Sequence, residues 1–125
     1  MESRTDRETG RLGEKIARDF LRSRRYLILE KNYFTPFGEI DLIARKNDYT
    51  VFVEVKTRVS DPFGSPLYSI TRLKQRSIVR NSLSYMKKNG LTEKPCRIDV
   101  ISIILDGNKE LKTLEHIHNA IESGS

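Results

Sequence analysis

Two alternating segments on either side of a short turn constrain the fold of this chain more than any other feature of its sequence. Residues 39–45 and 51–57 each alternate in polarity or size at the period of a β-strand. The Lys-Asn-Asp sequence at residues 46–48 is typical of a turn. The two segments are therefore predicted to pair as a hairpin, with Ile40 and Leu42 on the same face of its first strand.

Apolar residues at helical spacing predict two helices, at residues 9–25 and 71–88. In the first helix, Leu12, Ile16 and Phe20 recur every four residues and form an apolar stripe. The second helix is expected to end at an Asn-Gly pair, which is a common helix terminator. The side chains that it is expected to bury are Leu73, Val79, Leu83 and Met86.

Further strands are predicted at residues 26–33, 97–105 and 111–117, and a loop that contains Pro and Gly is predicted at residues 59–69. Residues 97–105 are almost continuously apolar, which suits a strand that is covered on both faces. The order of elements is therefore α-β-β-β-α-β followed by an additional strand. This order predicts an α/β fold with a mixed central sheet.

The charge of the chain is concentrated in one segment. The net charge is +6, and residues 72–97 carry eight basic side chains and one acidic side chain, a net of +7. Such a segment is typically used to neutralise phosphates of nucleic acid, and a solvated helix face is the alternative. The single cysteine, Cys96, excludes an intramolecular disulfide and a Cys-based metal site. Without a secretion signal or a long apolar stretch, we expect a soluble cytoplasmic protein with no membrane partner.

Asp41 and the sequence Glu54-Val55-Lys56 place charged groups in segments that are otherwise built for burial. Glu54 and Lys56 are two apart on a strand, so they share one face. Across the predicted hairpin Asp41 falls close to Glu54, and two carboxylates and an ammonium group converge. Carboxylates suit Mg²⁺, and a lysine beside the ion can assist an attacking water or stabilise charge on a phosphate. A surface sheet with a same-face Glu–Lys pair is the alternative, although buried acids without a task are costly.

These residues also carry a resemblance to a known group of proteins. The sequence GEIDLIA at residues 38–44, followed by VFVEVKTR at residues 51–58, resembles the PD-(D/E)xK nuclease superfamily. More narrowly, the chain resembles the YraN-like family, which is related to archaeal Holliday-junction resolvases. The resemblance implies one restriction-endonuclease-like domain at residues 1–125, with a core at about 10–120. It extends to residues 10–14, Ala17, Phe63, Gly64, Lys74 and residues 97–100.

The resemblance implies a role for each acidic residue of the motif. Asp41 and Glu54 would bind Mg²⁺ or Mn²⁺, and Lys56 would be the catalytic lysine. Glu14 would match an additional catalytic acid on the first helix, with an exposed ion pair within the helix as its alternative. Glu39 is the rival second carboxylate. The chain departs from the superfamily motif in one respect, because isoleucine and not proline precedes Asp41.

The remaining candidates are basic residues and histidines. Arg58, Lys74 and Arg76 lie just after the catalytic strand or at the start of the second helix, and we expect them to bind phosphates. His116 and His118 are two apart on the last predicted strand. Two ligands without a third partner favour a surface pair over a metal site.

Together these features predict a metal-dependent endonuclease that hydrolyses phosphodiester bonds of structured, branched DNA in repair or recombination. Analogy with resolvases also implies a homodimer, although no apolar seam in the sequence marks its interface. The alternative function is a non-catalytic module that docks on nucleic acid or a repair complex. The intact set of Asp41, Glu54 and Lys56 favours the enzyme, because docking alone does not require it.

Overall fold

The computed structural model describes residues 4–60 and 70–122, with side chains from residue 7 onward. Most of the predicted loop therefore lies outside the described residues, as does the Phe-Gly pair of the resemblance. In the described part of the chain, neither helix is long and apolar enough to cross a membrane. The elements are α1 (Arg4–Ser23), β1 (Leu27–Thr35), β2 (Gly38–Lys46), β3 (Tyr49–Val59), α2 (Arg72–Lys88), β4 (Cys96–Leu105) and β5 (Leu111–Ile121).

The five strands form one mixed sheet in the order β1-β2-β3-β4-β5. The β3–β4 pair is parallel and the other three pairs are antiparallel. The β3–β4 connection passes through α2, because parallel neighbours require a crossover. The predicted hairpin is confirmed, since β2 pairs with β3 from Leu42 opposite Val53 to Lys46 opposite Tyr49. The predicted α/β class, element order and additional C-terminal strand are also confirmed.

The two helices cover opposite faces of the sheet. Val51 and Val53 belong to the cluster packed on α1, and Val55 packs against its edge. Phe52 belongs to the second cluster, which packs on α2. Since side chains alternate along a strand, Glu54 shares the face of Phe52 and points away from the valines, as predicted.

The buried face of α2 differs from the predicted one. Leu73 and Leu83 are 75% and 48% exposed, so the prediction that they are buried is wrong. Asn81 is buried instead, where it accepts a hydrogen bond from Thr35 Oγ1 and donates one to Gly38 O, each at 2.9 Å. α2 therefore docks on the β1–β2 turn partly through polar groups, which a search for apolar spacing does not detect. The other two predicted residues do pack on the sheet.

The regular alternation predicted for β2 fails at Ile40. Ile40 and Ile43 both pack in the cluster under α2, whereas Leu42 packs in the cluster under α1. The alternation therefore slips at Asp41. The pairing of β2 with β3 runs from the hairpin turn as far as Leu42, which lies opposite Val53. Asp41 consequently lies where the two strands separate.

Candidate active site

An open cleft of about 760 Å³ lies where β2 and β3 separate. Its walls come from the first half of α1, the start of β2 and the second half of β3. The cleft brings together the four predicted catalytic residues and one of the three predicted phosphate-binding residues. The charged side chains that line it are Arg7, Arg11, Glu14, Glu39, Asp41, Glu54, Lys56 and Arg58.

Where β2 and β3 separate, the side chain of Asp41 accepts a hydrogen bond from the backbone of β3. Its Oδ2 accepts a hydrogen bond from the backbone N–H of Val55 at 2.7 Å. Burial raises the pKa of Asp41, and the bond from Val55 opposes that rise. One carboxylate is therefore fixed at the base of the cleft between the two strands.

Glu54 is the most deeply buried acid of the cleft, with 5% of the residue exposed. Its Oε1 lies 3.7 Å from Lys74 Nζ. Its Oε2 is buried and has no hydrogen-bond partner among the residues that the structure describes. Burial, followed by the charge of Asp41, raises the pKa of Glu54 to about 7. The negative charge of Glu54 is therefore only partly balanced by Lys74.

Glu14 reaches the cleft because α1 approaches β3 closely at the preceding residue. A Cβ at Gly13 would lie 1.8 Å from Thr57 Oγ1, so a larger residue would push the helix away from the strand. Burial, followed by the charges of Asp41 and Glu39, raises the pKa of Glu14 to about 7. Glu14 therefore shares the electrostatic environment of the β2 carboxylates.

Asn32 of β1 links two of these acids. With its amide nitrogen turned toward the cleft, it donates to Glu14 Oε1 at 2.9 Å and to Glu39 Oε1 at 3.2 Å. Its φ of 52° lies in the left-handed region, which asparagine adopts more readily than most residues. No pattern in the sequence marks Asn32, because its role depends on the position of α1 over β1.

The basic residues occupy different positions around the acids. Lys56 is half-buried, and its charge opposes the raised pKa values of both Asp41 and Glu54. Lys74, which we expected to bind phosphate, forms the ion pair with Glu54. Arg58 is exposed in the cleft, and Arg76 is exposed on α2 and does not line the cleft.

The cleft also contains two arginines that the sequence analysis does not assign to the site. Arg7 and Arg11 of α1 line it beside Glu14. The three residues are spaced by four and three positions, which places them on one face of a helix. That spacing is visible in the sequence, but only the packing of α1 shows which helix face meets the site.

The donor set fits a hard divalent cation. Glu14, Asp41 and Glu54 lie in one cleft, and burial is the largest cause of the raised pKa of each, so a bound cation would favour their charged forms. Glu54 Oε2, which is buried without a hydrogen-bond partner in the described part of the chain, is an oxygen that an ion would satisfy. Carboxylate oxygens are the ligands that Mg²⁺ and Mn²⁺ prefer.

Comparison with known proteins places the chain in a family. Residues 13–103 match the family described as Uncharacterised protein family UPF0102. The chain is 44% identical over 115 residues to a UPF0102 protein of Dictyoglomus turgidum, covering 92% of this chain and 98% of that protein. It is 46% identical over 116 residues to a UPF0102 protein of Thermodesulfovibrio yellowstonii, covering 90% and 95%. The chain belongs to the UPF0102 family.

Proposed function

We propose that this protein is a Mg²⁺- or Mn²⁺-dependent endonuclease that hydrolyses phosphodiester bonds of branched DNA. One observation carries the proposal: Asp41, Glu54 and Lys56 line one open cleft, and a buried oxygen of Glu54 has no hydrogen-bond partner within residues 4–60 and 70–122. The resemblance to resolvases supports branched DNA as the substrate. Family membership is compatible with this activity but does not name it.

Each residue has a defined task in this proposal. Asp41 and Glu54 hold the cation, which when bound supplies a Lewis acid for the phosphate and lowers the pKa of a bound water. Lys56 donates hydrogen bonds to the attacking water or to the phosphate oxygen on which charge develops. Glu14 contributes a third carboxylate beside them. Arg7 and Arg11 line the same cleft and would bind phosphates next to the scissile one.

A cleavage assay on a panel of DNA structures tests the activity. Four-way junctions, flaps, single strands and linear duplexes are incubated with the protein in Mn²⁺, in Mg²⁺ and in EDTA. We expect cleavage in Mn²⁺ or Mg²⁺ that EDTA abolishes, with junctions and flaps cut faster than linear duplexes.

The matched control for this assay is Glu54→Gln, purified in the same way. The variant keeps the size of the side chain and removes one ligand charge, so it should not cut. Equal cleavage by both proteins would indicate a contaminating nuclease and contradict the proposal. Binding without cleavage by the wild type in every divalent ion would favour the non-catalytic docking module.

Titration calorimetry with Mn²⁺ tests the metal site without requiring activity. We expect Asp41→Asn and Glu54→Gln each to weaken Mn²⁺ binding by at least about tenfold, because each removes a charged ligand. Glu93→Gln, which changes an exposed acid between α2 and β4, should bind as the wild type does. Undiminished binding in both cleft variants would show that the ion binds elsewhere.

The exposed basic residues of α2 predict a salt-dependent affinity for DNA. The logarithm of the binding constant should fall with the logarithm of salt concentration by about 0.9 for each phosphate neutralised. Arg76→Ala should lower the affinity for all sequences alike and reduce this slope by about 0.9. Lys74 is kept in this test because it also pairs with Glu54.

The matched control for the salt measurement is Lys94→Ala. Lys94 belongs to the same basic segment and is exposed, but it lies just before β4, whose first residue pairs with Thr50 near the start of β3, whereas the cleft is lined by residues 54–59 of that strand. Its removal should leave the slope unchanged. A slope near zero for the wild type would show that the basic face of α2 does not contact phosphates.

A further inference from the structure

A second polar cluster lies between β4 and β5, away from the carboxylate cleft. Asp99 is completely buried, and its Oδ2 lies 2.8 Å from His116 Nε2. The ring of His116 packs edge-on against Phe20 and Tyr26, at the C-terminal end of α1. The cleft is lined instead by the first half of α1. The expectation that His116 belongs to a surface pair is therefore wrong, because its side chain is only 8% exposed.

His118 completes the cluster from the same strand. It is two residues from His116, so the two rings lie on one face of β5 with their centroids 4.1 Å apart. His118 is exposed, whereas Asp99 and the ring of His116 are buried. Asp99, His116 and His118 each offer one ligand atom, and these atoms all lie within 4.8 Å of one another. The structure thus supplies the third partner that the sequence did not reveal.

The local strand geometry brings these groups together. β5 bulges opposite Asp99, since Val100 pairs with Ile117 but Ile98 pairs with Ile121. Within the bulge the backbone N–H of Asn119 donates to Asp99 Oδ1 at 2.9 Å. Bulges re-aim side chains and are common beside functional sites. The carboxylate is therefore held in a fixed orientation toward both histidines.

We propose that Asp99, His116 and His118 form a binding site for Zn²⁺ or a similar transition-metal ion. Two imidazoles and one carboxylate with an open fourth position are a common zinc donor set. Ligands at about 2.0–2.1 Å in a tetrahedron lie about 3.3 Å apart. The His116–Asp99 contact would open by about 0.5 Å to reach that spacing. The exposed side of His118 leaves the fourth position open to water.

Neighbouring side chains orient the carboxylate of Asp99 for metal binding. The two imidazole ligands favour a borderline ion such as Zn²⁺. Arg97 Nε lies 3.0 Å and 3.1 Å from the two oxygens of Asp99, and its Nη2 lies 2.5 Å from Tyr26 Oη. Hydrogen bonds of this kind orient metal-ligating carboxylates. Imidazole nitrogens select zinc, copper or nickel over Mg²⁺, so this site and the carboxylate cleft would bind different classes of ion. The positive charge of Arg97 opposes the cation and should keep the affinity moderate.

Titration with Co²⁺ tests this site, because tetrahedral Co²⁺ absorbs visible light and Zn²⁺ does not. The protein is used as the double variant Asp41→Asn/Glu54→Gln, so that the carboxylate cleft does not contribute. We expect one equivalent of Co²⁺ to give visible bands at pH 7.5, and Zn²⁺ to displace it. The added variant His118→Ala should lower the affinity by at least about tenfold.

His118 is exposed, so its removal should not disturb the fold, and a thermal melt without metal checks this. Zn²⁺ should raise the melting temperature of the parent protein, which is the Asp41→Asn/Glu54→Gln double variant, but not that of the protein with the added His118→Ala change. The reason is that a ligand stabilises the folded state only when it binds to that state. Glu122→Gln, an exposed acid just after β5, is the matched control and should bind as the parent does. Absence of the visible bands, or Co²⁺ binding that His118→Ala leaves unchanged, would overturn the proposal.

Discussion

Lys56→Ala is expected to lower the rate of DNA cleavage by about 10²–10⁴-fold while the dissociation constant for DNA changes only a few-fold. Lys56 lies beside both Asp41 and Glu54, where it can act on the water or on the phosphate as charge develops. A group that acts in the transition state affects the rate more than it affects ground-state binding. Single-turnover cleavage and fluorescence anisotropy on the same junction measure the two quantities.

Two further variants separate the role of Lys56 from a general loss of positive charge. Lys56→Arg should not restore cleavage, because a planar guanidinium occupies the site differently from a compact ammonium and stays protonated. Arg58→Ala, in the same cleft, should weaken DNA binding more than it slows the bound reaction. A Lys56→Ala protein that cuts as fast as the wild type would show that the lysine has no catalytic role.

Glu54→Gln is expected to raise the stability of the metal-free protein at pH 8. The pKa of Glu54 is about 7 in the folded state, against 4.5 as its ordinary value. Between pH 4.5 and about 7 the folded protein therefore binds more protons than the unfolded chain. Its free energy of unfolding accordingly falls as the pH rises through this range to about 7. The neutral variant avoids this loss of unfolding free energy, which is on the order of 3 kcal/mol and corresponds to about 5 °C or more in melting temperature.

Melting temperatures of the same two proteins also test whether the cleft binds a cation. In EDTA, the wild type should melt at a higher temperature at pH 5.5 than at pH 8, and Glu54→Gln should reduce this difference. Glu14, whose pKa is also raised to about 7, and Asp41, whose pKa burial raises, account for the part that remains. Mn²⁺ should raise the melting temperature of the wild type at pH 8 and have little effect on the variant. A Glu54→Gln protein that is less stable than the wild type at pH 8 would contradict this account of the buried carboxylate.

The positions of Asp41, Glu54 and Lys56 could be predicted because they depend on local rules. Alternation along a strand places Glu54 and Lys56 on one face, and the two-residue turn at residues 47–48 fixes the register of the hairpin. Asp41 illustrates the limit of such rules. Its position opposite Glu54 follows from the register, but its bond to Val55 and the slip of alternation at Ile40 do not. These arise because β2 leaves β3 at this residue.

The sequence by itself determined the order of the elements, the hairpin and the strand carboxylates, because these follow from helical and strand periods and from turn residues close in the chain. Only the tertiary structure decided which polar side chains the helices bring to the sheet and to the cleft. The ion pair of Lys74 with Glu54, the burial of Asn81 and the meeting of Asp99 with His116 each join residues at least 17 positions apart. Such contacts depend on close packing, as at Gly13 against Thr57, and packing is set by the shapes of whole elements and not by local pattern.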